Sequence, residues 1–201
     1  MLSSKQHKNL VLIGAPPGCG KTFYAGMLAD GIPNSVVLDL DSLNPLSAKL
    51  CMLCGQEFDK GGDFFRRNVR DTEYETLLDL AFSALQYNRT VIVSAPFTKE
   101  FRHPELLEII RRKAEAMGAS LVPVWVQSSQ NACRENMIQR NLQRDKWKLS
   151  DLDAYIESID LNAPKDIDDL YIIDARERGN ETQNITGLIH NLFGGTQESK
   201  C

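Results

Sequence analysis

The chain has 201 residues, of which 42% are hydrophobic and 25% are charged. These proportions are those of an ordinary globular domain, and they exclude a wholly disordered, fibrous or membrane-embedded chain. Lysine and arginine total 23 against 27 aspartate and glutamate residues, which gives a formal net charge of −4. That balance excludes the broad basic field with which a protein coats nucleic acid non-specifically.

The same inventory indicates where the protein works. No apolar run approaches the roughly 20 residues that span a bilayer, and the polar start does not lead into a signal-type apolar segment. The five cysteines are an odd number in a chain long enough to fold without disulfides, so we expect thiols in a reducing compartment. We therefore expect a cytoplasmic protein with no membrane partner, and no sequence feature marks an obligate protein partner.

Short apolar runs alternate along the chain with stretches of helical spacing. These runs cover residues 10–13, 36–40, 90–93, 121–126 and 170–173. The alternation predicts an α/β fold with a doubly wound, five-stranded parallel sheet. Ligands of such sheets bind at the carboxyl ends of the strands. We expect a single domain over residues 1–193, followed by a flexible tail over residues 194–201.

The segment after the first run is rich in glycine and reads Gly14-Ala15-Pro16-Pro17-Gly18-Cys19-Gly20-Lys21-Thr22. It is a variant Walker A loop with Ala15 at the position of the first glycine. Gly18 and Gly20 allow successive backbone amides to face one anion, and the helix that begins near Lys21 adds its positive dipole end. Lys21 supplies a cation for the β- and γ-phosphates, and the Thr22 hydroxyl can hold Mg²⁺. We predict that residues 15–22 bind a nucleoside triphosphate.

Two carboxylates, Asp39 and Asp41, lie at the end of the second run. Because they are two residues apart, we expect them on one side of a strand that runs toward the ligand edge. Transfer of a phosphoryl group to an alcohol needs a carboxylate within hydrogen-bond reach of the hydroxyl. We predict that Asp41 is this general base and that Asp39 is a ligand of Mg²⁺. The alternative is that both are turn or cap residues before Leu43.

An insert of about residues 43–88 separates the second and third strands and is long enough for helices beyond one crossover. In a phosphotransferase of this layout, a cap that binds the acceptor belongs here. Arg66, Arg67 and Arg70 would then meet an anionic acceptor. The alternative is that these arginines are ordinary surface charge.

The third strand ends in Val-Ile-Val-Ser at 91–94 and is followed by Ala95, where many phosphate-loop proteins carry a Walker B aspartate. Without that acid, Mg²⁺ depends on a carboxylate after the second strand, or on phosphate oxygens and water. This weakens the case for an ATP-hydrolysing motor. Pro96 and Phe97 either form a rigid turn with core packing or line the substrate site.

After the fourth strand, a predicted helix carries Arg134, Arg140 and Arg144. Arg140 and Arg144 are four residues apart and therefore adjacent on one helical face, where like charges repel unless an anion lies between them. We predict that they belong to a lid, about residues 140–155, that closes over a triphosphate and neutralises charge on the transferring phosphoryl group. The alternative is a solvated basic face.

Together these motifs resemble a group of small P-loop kinases that includes zeta toxin, chloramphenicol phosphotransferase, gluconate kinase and polynucleotide kinase. The motifs that carry the resemblance are residues 14–22, 41–43, 91–94 and 140–145. The resemblance implies a five-stranded parallel sheet that binds ATP and Mg²⁺. It further implies that Asp41 deprotonates the acceptor hydroxyl and that Arg140 and Arg144 clamp the phosphates. Lys21 and Thr22 then act in the phosphate loop.

The resemblance covers most of residues 9–193 and has two local features. Ala95 stands where the polynucleotide kinase branch has an acidic residue. The segment 174–176 is similar in placement to the loop that touches adenine in these kinases, so we expect Arg176 to contact the nucleotide. The alternative is that this segment is a simple surface connection.

The sequence therefore predicts an ATP- and Mg²⁺-dependent kinase that transfers the γ-phosphate to a hydroxyl. The acceptor is a small molecule or a nucleic-acid hydroxyl, and the acidic net charge of −4 favours the small molecule. The alternative is a P-loop ATPase or nucleotide-dependent switch that acts through a partner.

Overall fold

A computed structural model describes residues 8–140, 151–177 and 179–194. Within these residues, parallel strands form a single sheet in the order β2-β3-β1-β4-β5. The strands are β1 Lys8–Gly14, β2 Ser35–Asp39, β3 Thr90–Ser94, β4 Ala119–Ser128 and β5 Tyr171–Ala175. Each predicted apolar run therefore corresponds to a strand, and the predicted doubly wound, five-stranded α/β fold is confirmed.

Helices cover both faces of this sheet, as is typical of parallel sheets whose strands are joined by helical crossovers. The α-helices are α1 Lys21–Gly31, α2 Asn44–Leu53, α3 Asp63–Asn68, α4 Arg70–Ala84, α5 Pro104–Ala116, α6 Gln130–Arg140, α7 Leu152–Ser158 and α8 Glu181–Gly194. Short 3₁₀ helices follow β2 at Leu40–Leu43 and precede α5 at Glu100–Arg102. Helices α2, α3 and α4 make up the insert that the sequence predicts. Within the described parts of the chain, no helix has the length and apolar character needed to cross a membrane.

The core consists of two apolar layers, one on each face of the sheet. Leu10 and Leu12 of β1 pack with α4 and α5, whereas Val11 and Ile13 pack with α1, α6, α7 and α8. These four residues are fully buried because successive side chains of a strand point to opposite faces and both faces are covered. Strand β1 is the central strand of the sheet and is covered on both faces, and the phosphate loop begins at its carboxyl end.

One strand boundary differs from the prediction. Strand β2 ends at Asp39, and Asp41 lies in the 3₁₀ helix Leu40–Leu43. The expectation that Asp39 and Asp41 share one side of a strand is therefore wrong. The cause is local, because the Asp39 carboxylate accepts a hydrogen bond from the Asp41 backbone N–H at 2.8 Å and caps the turn.

Parts of two predicted segments lie outside the described residues. These are residues 141–150 of the predicted lid, which include Arg144, and residues 195–201 of the predicted tail. Helix α6 reaches Arg140, which is the last residue described before residues 141–150.

Candidate active site

A cavity of about 1330 Å³ opens at the carboxyl ends of the strands. Its phosphate-loop half is lined by residues 16–22 and by residues that follow β4 and β5. Its insert half is lined by side chains of the insert and of the segment after β3, namely Lys60, Phe65, Arg70, Glu73, Tyr74, Thr98 and Arg102. Ligand pockets usually measure about 300–1,000 Å³, so this cavity is larger than the usual site of a single small ligand.

The phosphate loop has a backbone conformation that requires glycine. Gly18 and Gly20 have φ values of +86° and +90°, and Gly20 is the N-cap of α1. A Cβ atom on Gly18 would lie 2.8 Å from the carbonyl oxygen of Cys133. The loop is therefore packed directly against α6, and its amides lead into the positive end of α1.

Side chains at the end of the loop connect it to β2. The Lys21 ammonium donates a hydrogen bond to the Pro16 carbonyl at 3.0 Å and so lies across the loop. The Thr22 hydroxyl donates to Asp39 Oδ2 at 2.8 Å. Since Asp39 Oδ1 accepts from the Asp41 backbone N–H, a continuous chain of contacts joins Thr22, Asp39 and Asp41. Hydroxyl and carboxylate oxygens placed this way are the donor types that Mg²⁺ prefers.

Asp41 lies in the cavity beside a cation that sequence reasoning missed. Its Oδ1 atom is 3.6 Å from the Lys60 ammonium, and the Asn44 side-chain amide donates to the same oxygen at 3.4 Å. Lys60 is also 3.4 Å from Glu73 Oε2. Glu73 is buried and accepts a short hydrogen bond from the Ser47 hydroxyl.

Of the three insert arginines that the sequence singled out, the structure brings Arg70 to the cavity. Arg66 and Arg67 lie on the exposed side of α3. The Arg70 guanidinium lies over the Tyr74 ring, 4.3 Å from its centroid, and donates to Glu100 at 3.2 Å. Its hydrogen bond to Asp71 lowers the pKa of that carboxyl.

The segment after β3 divides between the cavity and the core. Ser94 and Pro96 line the cavity, and Ser94 is buried. Phe97 is fully buried, stacks on Phe101 with ring centroids 5.6 Å apart, and meets Tyr74 edge to face. Phe97 therefore packs in the core, whereas Pro96 lines the cavity, and its contact with a substrate stays a prediction.

Helix α6 contributes through an amide that sequence reasoning also missed. The Asn136 side chain donates a hydrogen bond to the Gly18 carbonyl at 2.8 Å and lines the cavity. Arg134 forms an ion pair with Asp153 of α7. Arg140 is the last residue of α6, and Arg144 lies beyond the described part of this region, so their clamping role remains a prediction.

Arg176 follows β5 and is held by its neighbour Asp174. Its Nε atom donates to Asp174 Oδ1 at 2.9 Å, and its guanidinium lowers the pKa of that carboxyl to about 2. The adjacent residues Ala175 and Glu177 line the cavity. To contact a nucleotide, the Arg176 side chain has to give up its hydrogen bonds to Asp174. The predicted contact remains a prediction.

The parallel sheet, the glycine loop and the helix at its end define a P-loop domain of the kinase type. Residues 10–161 match the family described as AAA domain. Because this match spans most of the chain, the chain belongs to that family, and the resemblance to the small P-loop kinases is confirmed. No curated protein matches the sequence.

Solved structures with similar folds include kinases. A Chloroflexus aurantiacus protein described provisionally as a kinase has a TM-score of 0.67 at 18% identity, covering 96% of this chain and 100% of that chain. Gluconokinase from Sinorhizobium meliloti has a TM-score of 0.54 at 16% identity, covering 96% of this chain and 99% of that chain. The tunicamycin resistance protein of Deinococcus radiodurans has a TM-score of 0.55 at 18% identity, covering 91% and 96%. At these identities the likeness establishes the fold.

Proposed function

We propose that this protein is an ATP-dependent kinase that transfers the γ-phosphate to a hydroxyl group of an acceptor. The observation that carries the proposal is that Asp41 lines the same cavity as the phosphate loop, with its backbone N–H joined to Thr22 through the Asp39 carboxylate. The cavity volume of about 1330 Å³ supports two substrates. The AAA domain family and the kinase-type fold support the nucleotide and the reaction class.

In this proposal each residue has a defined task. The loop amides and Lys21 bind the β- and γ-phosphates. Asp41 accepts the proton of the acceptor hydroxyl as its oxygen bonds to the γ-phosphorus, while the bond from the γ-phosphorus to the β–γ bridging oxygen breaks and ADP leaves. Arg140 and Arg144 close over the nucleotide and exclude water. Thr22 and Asp39 would hold Mg²⁺, which neutralises phosphate charge when bound. The acceptor occupies the insert half of the cavity.

The cellular setting follows from the same premise. ATP and a reducing environment are cytoplasmic conditions, and the cysteines in the described part of the chain are free thiols. We place the enzyme in the cytoplasm. We favour a small hydroxyl-bearing molecule as its acceptor over the end of a nucleic acid.

The test follows γ-labelled ATP in the presence of sugars, nucleosides, antibiotics and oligonucleotide ends. We expect labelled product from one class of acceptor. We expect Asp41→Asn to retain Mg-ATP affinity and to lower transfer about 10²–10⁴-fold, since a positioned base contributes that much. Asp79→Asn, an exposed change on α4, is the matched control and leaves the rate unchanged.

Two results overturn the proposal. Normal transfer by Asp41→Asn removes this residue as the base. Calorimetry that detects no Mg-ATP binding to the wild-type protein removes the kinase itself, and steady phosphate release without labelled product identifies an ATPase instead.

A further inference from the structure

Lys60 occupies a position between two carboxylates in the insert half of the cavity. It lies in the connection between α2 and α3, where its ammonium is 3.6 Å from Asp41 Oδ1 and 3.4 Å from Glu73 Oε2. The side chain is 19% exposed and packs near the Phe65 ring, 5.7 Å from its centroid. A flexible lysine is thus held in one place by an aromatic face and two anions.

Glu73 provides a fixed anchor for this lysine. It lies on the buried side of α4, and 4% of its side chain is exposed. Its carboxylate accepts a hydrogen bond from the Ser47 hydroxyl of α2. An ionised side chain buried to this degree depends on its partners. Glu73 therefore fixes the Lys60 ammonium relative to the two insert helices.

The charge arrangement explains what this lysine does for Asp41. Asp41 lies close to Asp39 and to the place where the phosphate loop would bind a polyanion. Repulsion among these anions would displace the Asp41 side chain, and a cation 3.6 Å from its Oδ1 atom offsets part of that repulsion.

We propose that Lys60 is a positioning residue that holds the Asp41 carboxylate in the orientation needed to accept the acceptor's proton, with Glu73 as its anchor. This inference rests on the kinase activity proposed above. Lys60 acts through Asp41 and takes no proton itself, so its removal affects kcat and leaves nucleotide binding intact.

The experiment compares Lys60→Met, Lys60→Arg and the matched control Lys49→Met, an exposed change on α2. We expect Lys60→Met to lower kcat about tenfold to 100-fold, the cost of a misplaced catalytic group, while the Kd for Mg-ATP stays within about twofold. Lys60→Arg restores most of kcat because it retains the cation, and Lys49→Met matches the wild type. Normal kcat in Lys60→Met overturns the proposal.

A second measurement is independent of turnover. Urea unfolding of Asp41→Asn, Lys60→Met and the double variant tests whether their effects on the transition midpoint are additive. We expect non-additive effects, because each single change removes the same contact. Additive effects overturn the positioning role even if the wild type is a kinase. Non-additive effects in a wild type that labels no acceptor overturn the kinase and, with it, the catalytic use of the contact.

Discussion

The two halves of the cavity are built in different ways. The phosphate-loop half consists mainly of backbone amides and glycine conformations within eight consecutive residues after β1. The insert half consists of charged side chains held by partners on other helices, such as Lys60 with Glu73 and Arg70 with Glu100. A backbone site is fixed by local sequence, whereas a side-chain site is fixed by tertiary packing. The first half can therefore be identified from the sequence, whereas in the second half the sequence indicated Arg70 and missed Lys60 and Glu73.

Among the variants that compare the two halves, the largest expected effect belongs to the phosphate-loop half. We expect Lys21→Ala to lower kcat/KM for ATP about 10²–10³-fold, because it removes a cation aimed at developing phosphate charge. Steady-state kinetics with Mg-ATP measures the loss, and Lys49→Ala serves as the exposed control. A loss below about threefold would contradict the assignment of this loop as the phosphate site.

In the insert half, the expected effect is on stability. We expect Arg70→Met to lower the free energy of unfolding by about 2–3 kcal/mol, because it leaves the buried Glu100 carboxylate without its guanidinium. Arg66→Met, at an exposed pair with Asp63, should cost less than about 1 kcal/mol. Urea denaturation measures both, and adding Glu100→Gln should recover part of the first loss. Equal losses for the two arginine variants would show that Arg70 is ordinary surface charge.

The two glycines of the loop provide a finer comparison. An alanine at either position has a strained positive φ, which costs about 1–3 kcal/mol. Gly18→Ala also brings its Cβ to 2.8 Å from the Cys133 carbonyl oxygen, whereas at Gly20 the nearest atom is 3.6 Å away. Thermal melts and Mg-ATP calorimetry should therefore show a larger loss for Gly18→Ala. The reverse order would mean that α6 does not constrain the loop.

The smallest expected effect is at the edge of the cavity. The pKa of Asp174 is lowered to about 2 by Arg176, so the pair stabilises the fold above the unfolded pKa of about 4. That stabilisation is lost as the pH falls from about 4 through 2. Since the pair is exposed, Asp174→Asn should lower Tm by about 2 °C or less at pH 7. The difference between variant and wild type should shrink toward pH 2, and a difference that grows would contradict the ion pair.

The sheet and the phosphate loop could both be predicted from the sequence, and for the same reason. Consecutive apolar residues mark a strand covered on both faces, and the loop motif is contiguous, so neither needs knowledge of distant contacts. The sequence placed Asp39 and Asp41 in the correct region. The prediction that they share one face of a strand was wrong, because a side-chain cap ends β2 at Asp39. Local hydrogen bonding of this kind competes with strand pairing and leaves little trace in an apolar pattern.

The residues that were missed have partners far away in the chain. Asn136 bonds to Gly18 across 118 positions, and no spacing rule links them. Lys60 lies in an irregular connection without periodicity. Glu73 did carry a signal, since it shares its helical stripe with the buried residues Leu77 and Ala81. A carboxylate on an apolar stripe indicates a buried partner, although not which one.

The central position of β1 has a consequence for how the site is lost. Its residues from Leu10 to Ile13 are fully buried, with a strand on either side. Amide hydrogen exchange there should require opening of the entire molecule, because such strands open only with the global free energy. The phosphate loop is thus attached to a segment whose amides should be among the slowest to exchange. We therefore expect heat or denaturant to abolish nucleotide binding and structure in a single transition.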